Sequence, residues 1–229
     1  PRNLDADSIR DEKVKVFSSI KPLDGDWMEN VVFGQYGKGI VEGKKVLAYN
    51  EEENIPKNSR TETFVAMKLA LENWRWSGVP FYLRTGKRLE KQGTTVVVEF
   101  KKVPSILYNK SANLESNKLI IKIQPDEEIS MEFNVKSGTQ VKSIETKFDQ
   151  KSYFKMKSPE AYENILLNIA MSDQTLFTRF DGVEKSWEIV DKLADCHENC
   201  PIIYKYESGS WGPEMADKLL EKDGRKWWN

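Results

Sequence analysis

Thr63-Phe64-Val65-Ala66-Met67-Lys68-Leu69-Ala70-Leu71 alternates with a period of two. Extended, it would place Thr63, Val65, Met67, Leu69 and Leu71 on one face, and Phe64, Ala66, Lys68, Ala70 and Glu72 on the other. Successive side chains of a strand point to opposite faces, so this spacing predicts a strand. Working outward, Val31 to Tyr36 reads as a preceding strand that ends in a glycine-rich turn at Gly37 and Gly39. Further strands are predicted near Phe81 to Arg84, Thr95 to Lys101, Lys118 to Gln124 and Ser130 to Val135. Turn-forming stretches rather than helices separate them, which favours an antiparallel sheet over parallel crossover units.

Helical patterns flank these strands. Ser8 begins one, with Asp11 three residues on in a capping-box arrangement, and Val14 and Phe17 on one face; Pro22 and Gly25 close it. In the last third, Ser158 as cap and Pro159 at the first helical position open a helix with Tyr162, Ile165, Leu166 and Ile169 facing inward. A second helix carries Val183, Trp187, Val190 and Leu193. Pro213 begins a third, which buries Met215, Leu219 and Leu220 and stops at Gly224. Strands first and helices later indicate the α+β class.

The 229 residues can bury one good core or two small ones. Lysine and arginine number 35 against 36 acidic residues, a net charge of −1. That balance gives no electrostatic case for nucleic acid, where a basic stripe is expected. Hydrophobic content of 39% with seven tryptophans argues against disorder. No apolar run approaches bilayer length and no signal-peptide pattern opens the chain, so a soluble, cytoplasmic protein is expected. Cys196 and Cys200 are two cysteines in a long chain, and His197 is the only histidine. A zinc site would lack its fourth ligand and the order does not suit haem attachment, so ordinary reduced thiols are expected and no metal.

Chemistry concentrates at Val79-Pro80-Phe81-Tyr82-Leu83-Arg84-Thr85-Gly86-Lys87-Arg88-Leu89. An apolar run leads into a glycine, then into a lysine at a strand end. Such an ammonium offers three donors and one charge to the hydroxyls or phosphate of a polar ligand. Gly86 would let the backbone come close. A phosphate loop is excluded, because Phe81 stands where glycine is required and Arg88 where Ser or Thr should follow. Gln124 lies two residues past Lys122, so both share a strand face, and its amide can donate to and accept from sugar hydroxyls. Gly34-Gln35-Tyr36-Gly37-Lys38-Gly39 has the wrong glycine spacing for a dinucleotide turn. His197 beside Glu198 is read as a chance neighbour on a polar helix surface rather than as a base.

The Lys87 segment resembles one in glucose-6-phosphate dehydrogenase, and Ile120-Ile121-Lys122-Ile123-Gln124-Pro125 resembles the strand that brings a glutamine to the same substrate. Ser8-Ile9-Arg10-Asp11-Glu12-Lys13-Val14-Lys15-Val16, Phe33-Gly34-Gln35-Tyr36 and Gly212-Pro213-Glu214 are similar to the family too. The resemblance runs over essentially the whole chain and is to the C-terminal, substrate-side domain. It implies one domain over residues 1–229, with a large, mostly antiparallel sheet and helices packed on one face.

The coenzyme-binding Rossmann domain, with the catalytic histidine, is expected to be missing; a start at Pro1 fits a fragment. The resemblance implies substrate contacts from Lys87, which reaches the sugar phosphate, and from Gln124. A second basic residue usually falls five positions after the lysine. Gln92 stands there with Lys91 one residue earlier, so either Lys91 swings in or Gln92 makes a neutral bond. In the intact enzyme a histidine held by an aspartate would take the anomeric proton. The C1 hydride would pass to NADP, which is bound mainly by the missing domain, giving 6-phosphogluconolactone at the head of the oxidative pentose phosphate pathway.

The resemblance further implies a homodimer through the sheet, no catalytic residue within this chain, and no activity of the chain alone. Arg84, Lys122 and Trp227 match positions that hold a second, structural NADP in some members. Gly93 and Trp211 stand where those members have basic residues, so that nucleotide is expected to be absent. Two alternatives stay open: a non-catalytic interaction module that keeps the fold, and a sugar-phosphate-binding protein acting alone.

Overall fold

The computed structural model describes residues 1–22, 26–102, 115–125, 127–138, 140–149, 161–199 and 202–229. The elements in chain order are α1 (Ala6–Ser19), β1 (Ile20–Pro22), β2 (Val31–Val41), β3 (Lys44–Val46), a 3-10 turn (Tyr49–Glu51), β4 (Phe64–Leu71), β5 (Pro80–Gly86) and β6 (Thr94–Glu99). There follow β7 (Lys118–Gln124), β8 (Glu128–Ser137), β9 (Gln140–Asp149), α2 (Ala161–Ala170), α3 (Phe180–Asn199), β10 (Tyr204–Ser208) and α4 (Glu214–Glu221). They divide into two compact units: residues 1–90 with 160–227 and Asn229, and residues 91–159 with Trp228.

The first unit holds a six-stranded sheet in the order β1-β4-β2-β10, with β3 on β2 and β5 on β4. Every pair is antiparallel except β2 and β10, which run parallel with Tyr206 opposite Tyr36. β4 shows the predicted alternation, and both of its faces are used. Phe64 and Ala66 are buried with Val32, Tyr36, Tyr206 and the α4 residues Ala216, Leu219 and Leu220. Met67 and Leu69 are buried on the opposite face with Leu193 of α3. Each large apolar side chain so covered contributes about 1.5–3 kcal/mol. The two long helices α1 and α3 pack against each other, and the short α4 closes the face that they leave.

Three local expectations change. Helix α1 starts two residues earlier than read, because Asp5 is its cap: its carboxylate accepts from the Ser8 N–H at 2.9 Å and the Ser8 hydroxyl at 2.8 Å. A carboxylate at the N-terminal end also meets the positive pole of the helix. β2 continues through Gly37 and Gly39, and the turn falls at Glu42 and Gly43, which have φ of 50° and 77°. Gly39 is there because β10 presses on it; a Cβ would stand 2.0 Å from the Ser208 carbonyl oxygen. In α2, Tyr162, Ile165, Leu166 and Ile169 are exposed rather than inward-facing, because no described residue covers them; Trp187 and Val190 of α3 are exposed too. Ser158, Pro159, Gly25 and Cys200 lie outside the described residues. Pro213 caps α4 and Gly224 follows it at φ 65°, as read.

Arg10, in one of the family-like segments, is buried in α1 and holds the loop before α3. It donates to the carbonyls of Phe177 at 3.0 Å and Gln174 at 2.8 Å. The second unit is a four-stranded antiparallel meander, β6-β7-β8-β9. No helix among the described residues is long and apolar enough to cross a membrane.

Candidate functional site

Lys87 follows directly on β5, whose last residue, Gly86, pairs with Phe64 of β4. A Cβ on Gly86 would lie 2.7 Å from the Phe64 ring. Gly86 therefore admits a core aromatic, and that close approach explains the glycine beside the lysine. The main chain of Lys87 is held at both polar groups: its N–H donates to the Thr63 carbonyl at 2.8 Å, and its carbonyl accepts from the Tyr206 hydroxyl at 2.7 Å. The Thr63 Oγ1 accepts from the Tyr36 N–H at 2.9 Å and lies 3.1 Å from the Tyr206 oxygen. Each hydroxyl has one proton. With the Tyr206 proton on Lys87, the Thr63 proton completes a one-way chain: Tyr36 N–H to Thr63, Thr63 to Tyr206, Tyr206 to the Lys87 carbonyl. Burial pushes the Tyr206 phenol up, which keeps it a donor.

Arg88 has φ 52°, a left-handed conformation that a residue with a side chain holds only under constraint. Here its guanidinium lies 4.6 Å over the Tyr36 ring, pairs with Glu52 and donates to the Leu47 carbonyl at 2.7 Å. Its own carbonyl accepts from the Gly209 N–H at 2.8 Å. The Lys87 side chain is exposed, and its ammonium makes no hydrogen bond or ion pair with any described residue. A fixed backbone thus presents a free cation. Sequence reasoning missed Thr63, Tyr206 and Arg88 as parts of this arrangement.

Lys87 belongs to the first unit; Lys91, Gln92 and Gln124 belong to the second. There Gln124 ends β7 opposite Thr94, the first residue of β6, so the exposed loop bearing Lys91 and Gln92 arrives beside it. Lys122, two residues before Gln124, is paired with Glu128 at 2.7 Å.

Three other segments have structural work. Gly34 to Gly39 lie within β2, where Gln35 is buried with its amide donating to the carbonyls of Ser59 at 3.1 Å and Thr61 at 2.7 Å. His197 packs edge-on to Phe33 with its Nε2 3.6 Å from Glu62. No metal-binding group of His, Cys, Asp and Glu occurs among the described residues. The Arg84 guanidinium lies close to two indoles, 4.6 Å from the Trp211 ring centre and 4.7 Å from that of Trp227, and burial pushes its pKa down.

The whole described architecture has a known counterpart. Residues 1–228 match the family described as glucose-6-phosphate dehydrogenase, C-terminal domain. The chain belongs to this family. It is 44% identical to the glucose-6-phosphate 1-dehydrogenase of Chlamydia pneumoniae over 99% of its own length and 46% of that protein's. With the Bacillus subtilis (strain 168) glucose-6-phosphate 1-dehydrogenase it shares 41% identity over 100% of this chain and 48% of the relative. A solved structure, glucose-6-phosphate dehydrogenase in complex with its substrate glucose-6-phosphate, superposes with a TM-score of 0.86 at 29% identity, covering 100% of this chain and 47% of the other. The chain therefore spans about half the length of the glucose-6-phosphate dehydrogenases it matches. Their shared fold is α+β, as expected from the strand and helix order.

Proposed function

We propose that this chain is the substrate-side half of a glucose-6-phosphate dehydrogenase, which oxidises glucose 6-phosphate at C1 to 6-phosphogluconolactone. The observation that carries the reading is the Lys87 ammonium: exposed, without a protein partner among the described residues, and mounted on a main chain bonded at both ends. A cation kept free on a rigid support is suited to an anionic or hydroxyl-rich ligand, since its backbone is already ordered before binding. Lys87 binds the sugar phosphate, and Gln124 donates to and accepts from a sugar hydroxyl. Lys91 or Gln92, arriving beside Gln124, adds a further bond. Contacts of this kind orient C1, and such orientation supplies several kcal/mol of a barrier.

NADP, held mainly by residues outside this chain, supplies the hydride acceptor. No catalytic acid or base is assigned to this chain, so by itself it binds and orients without turning over. The second, structural nucleotide is absent, because Gly93 and Trp211 stand where the members that hold it have basic residues. In the dimer, a second copy covers the apolar face of the four-stranded sheet. The protein works in the cytoplasm.

The test is Lys87→Ala in the complete enzyme carrying this chain. Losing a charge-assisted bond of about 1.5–3 kcal/mol raises the KM for glucose 6-phosphate roughly tenfold to a hundredfold. The KM for NADP stays within about twofold. An unchanged sugar-phosphate KM, or turnover by the purified 229-residue chain, would refute the assignment.

A further inference from the structure

We infer that Tyr206 is a positioning residue for the substrate-binding lysine, acting through the hydrogen-bonded chain that fixes the Lys87 carbonyl; this rests on the reading of Lys87 given above. Three segments far apart in sequence meet at one peptide unit. Tyr206 comes from β10, Thr63 immediately precedes β4, and Lys87 follows β5. The Tyr206 hydroxyl is within bonding distance of the Lys87 carbonyl at 2.7 Å, the Thr63 hydroxyl at 3.1 Å and the Thr63 carbonyl at 3.3 Å. Tyr206 is 5% exposed and packs its ring against Phe64, the residue on which Gly86 rests.

Such a bond is not demanded by the fold. A carbonyl at the end of an edge segment beside exposed residues can be hydrated at little cost. Burying a phenol to reach it orders that peptide instead. Its neighbour Arg88 holds φ 52° and is gripped by Glu52, the Tyr36 ring and the Leu47 carbonyl. The direction in which the Lys87 side chain leaves the backbone is thus set from both sides, by Tyr206 at its own carbonyl and by the constrained turn after it. Strain with this degree of support belongs to a site that must be held in one geometry. A lysine side chain has four rotatable bonds, so a loosened peptide unit would spread its ammonium over a wider volume and weaken binding without removing the charge.

The experiment compares Tyr206→Phe, Lys87→Ala and the double variant in the complete enzyme. Phenylalanine keeps the ring in the core and deletes only the hydroxyl. Tyr206→Phe is expected to raise the KM for glucose 6-phosphate three- to tenfold, with kcat and the KM for NADP within about twofold. In the double variant the two effects do not multiply, because the hydroxyl acts through the lysine. Exchange of the Lys87 and Arg88 amides with deuterium also speeds up in Tyr206→Phe. A lowered melting temperature with an unchanged sugar-phosphate KM would make Tyr206 merely structural and overturn the inference, provided that Lys87→Ala still raises that KM. If Lys87→Ala has no effect, the substrate reading itself fails, and Tyr206 has no ligand to position. Should Tyr206→Phe not fold, Thr63→Val breaks the same chain one link earlier and is expected to raise the KM in the same way, with Thr63→Ser restoring it; an unchanged KM in Thr63→Val overturns the inference.

Discussion

The six-stranded and the four-stranded sheets solve the same burial problem differently. In the first, both faces of β4 are covered, one by α4 and the other by α3, and Phe64 at its start is 2% exposed. In the second, the two faces differ in chemistry. One carries Ile120 and Ser130, both buried, among the ion pairs Lys118–Glu132, Lys122–Glu128 and Glu145–Lys147. The other aligns Val96, Ile121, Ile129 and Phe148 across four strands, with Leu119 and Met131 in the next row. Val96, Ile129, Met131, Ile144 and Phe148 are all exposed. Contiguous exposed apolar surface of this kind marks an interaction site. The contrast is that helices cover both faces of β4, whereas the apolar row of the second sheet stands exposed.

The largest effect separates the two sheets by the same substitution. Phe64→Ala removes a ring enclosed by Tyr206, Gly86 and Gly34 and should destabilise the fold by about 3–5 kcal/mol. Phe148→Ala, on the bare face, should cost the monomer less than about 1 kcal/mol. Urea unfolding of both variants at low protein concentration checks this. Equal losses would mean that the bare face is covered within the chain after all.

A smaller effect tests what covers that face. Ile129→Glu places a charge in the middle of the apolar row, next to Phe148 and Ile121. If a second copy docks there, sedimentation should show the dimer replaced by monomer, with a rise in the dissociation constant of at least about a hundredfold, since a buried unpaired charge costs several kcal/mol. Monomer stability should change by no more than about 0.5 kcal/mol. A dimer that survives Ile129→Glu would place the interface elsewhere.

Period-two alternation made β4 legible, because Phe64 and Ala66 separate cleanly from Met67 and Leu69. Strand β10 was not legible. Tyr-Lys-Tyr-Glu-Ser is short and polar, and it pairs in parallel with β2 only after the chain has passed through α2 and α3. The first cap was misplaced because Ser8 and Asp5 each offer a plausible side-chain oxygen, and only geometry shows which accepts. At the site, Lys87 could be picked out from its local motif. Its clamp could not, since Thr63, Tyr206 and Arg88 meet through register and a positive φ that no spacing rule encodes. The outward-facing α2 was misread for a related reason: hydrophobic periodicity marks an apolar face but does not show what lies against it.

The finest test of the contrast lies in charge. In the first sheet, Lys68 of β4 and Tyr82 of β5 both bind Asp223, just past α4, with the Lys68 Nζ 2.8 Å from the carboxylate. Partial burial pushes the Asp223 pKa up, but the hydrogen bonds from Lys68 and Tyr82 outweigh it and hold the carboxyl below its ordinary value. A carboxyl depressed in the folded state stabilises fully above its unfolded value of about 4 and progressively less as pH falls through the folded value. Asp223→Asn should therefore cost about 1 kcal/mol at pH 7, and the gap from the parent protein should close as pH drops below about 4. Lys122→Met, which breaks the partly buried Lys122–Glu128 pair on the charged face of the second sheet, should cost less, from about 0 to 1 kcal/mol, because Lys122 keeps a third of its side chain in water. Denaturation at several pH values compares them. If the Asp223→Asn gap stayed constant down to pH 2, the carboxylate would not fasten α4 to its sheet. The closure of that face would then rest on Ala216, Leu219 and Leu220 alone.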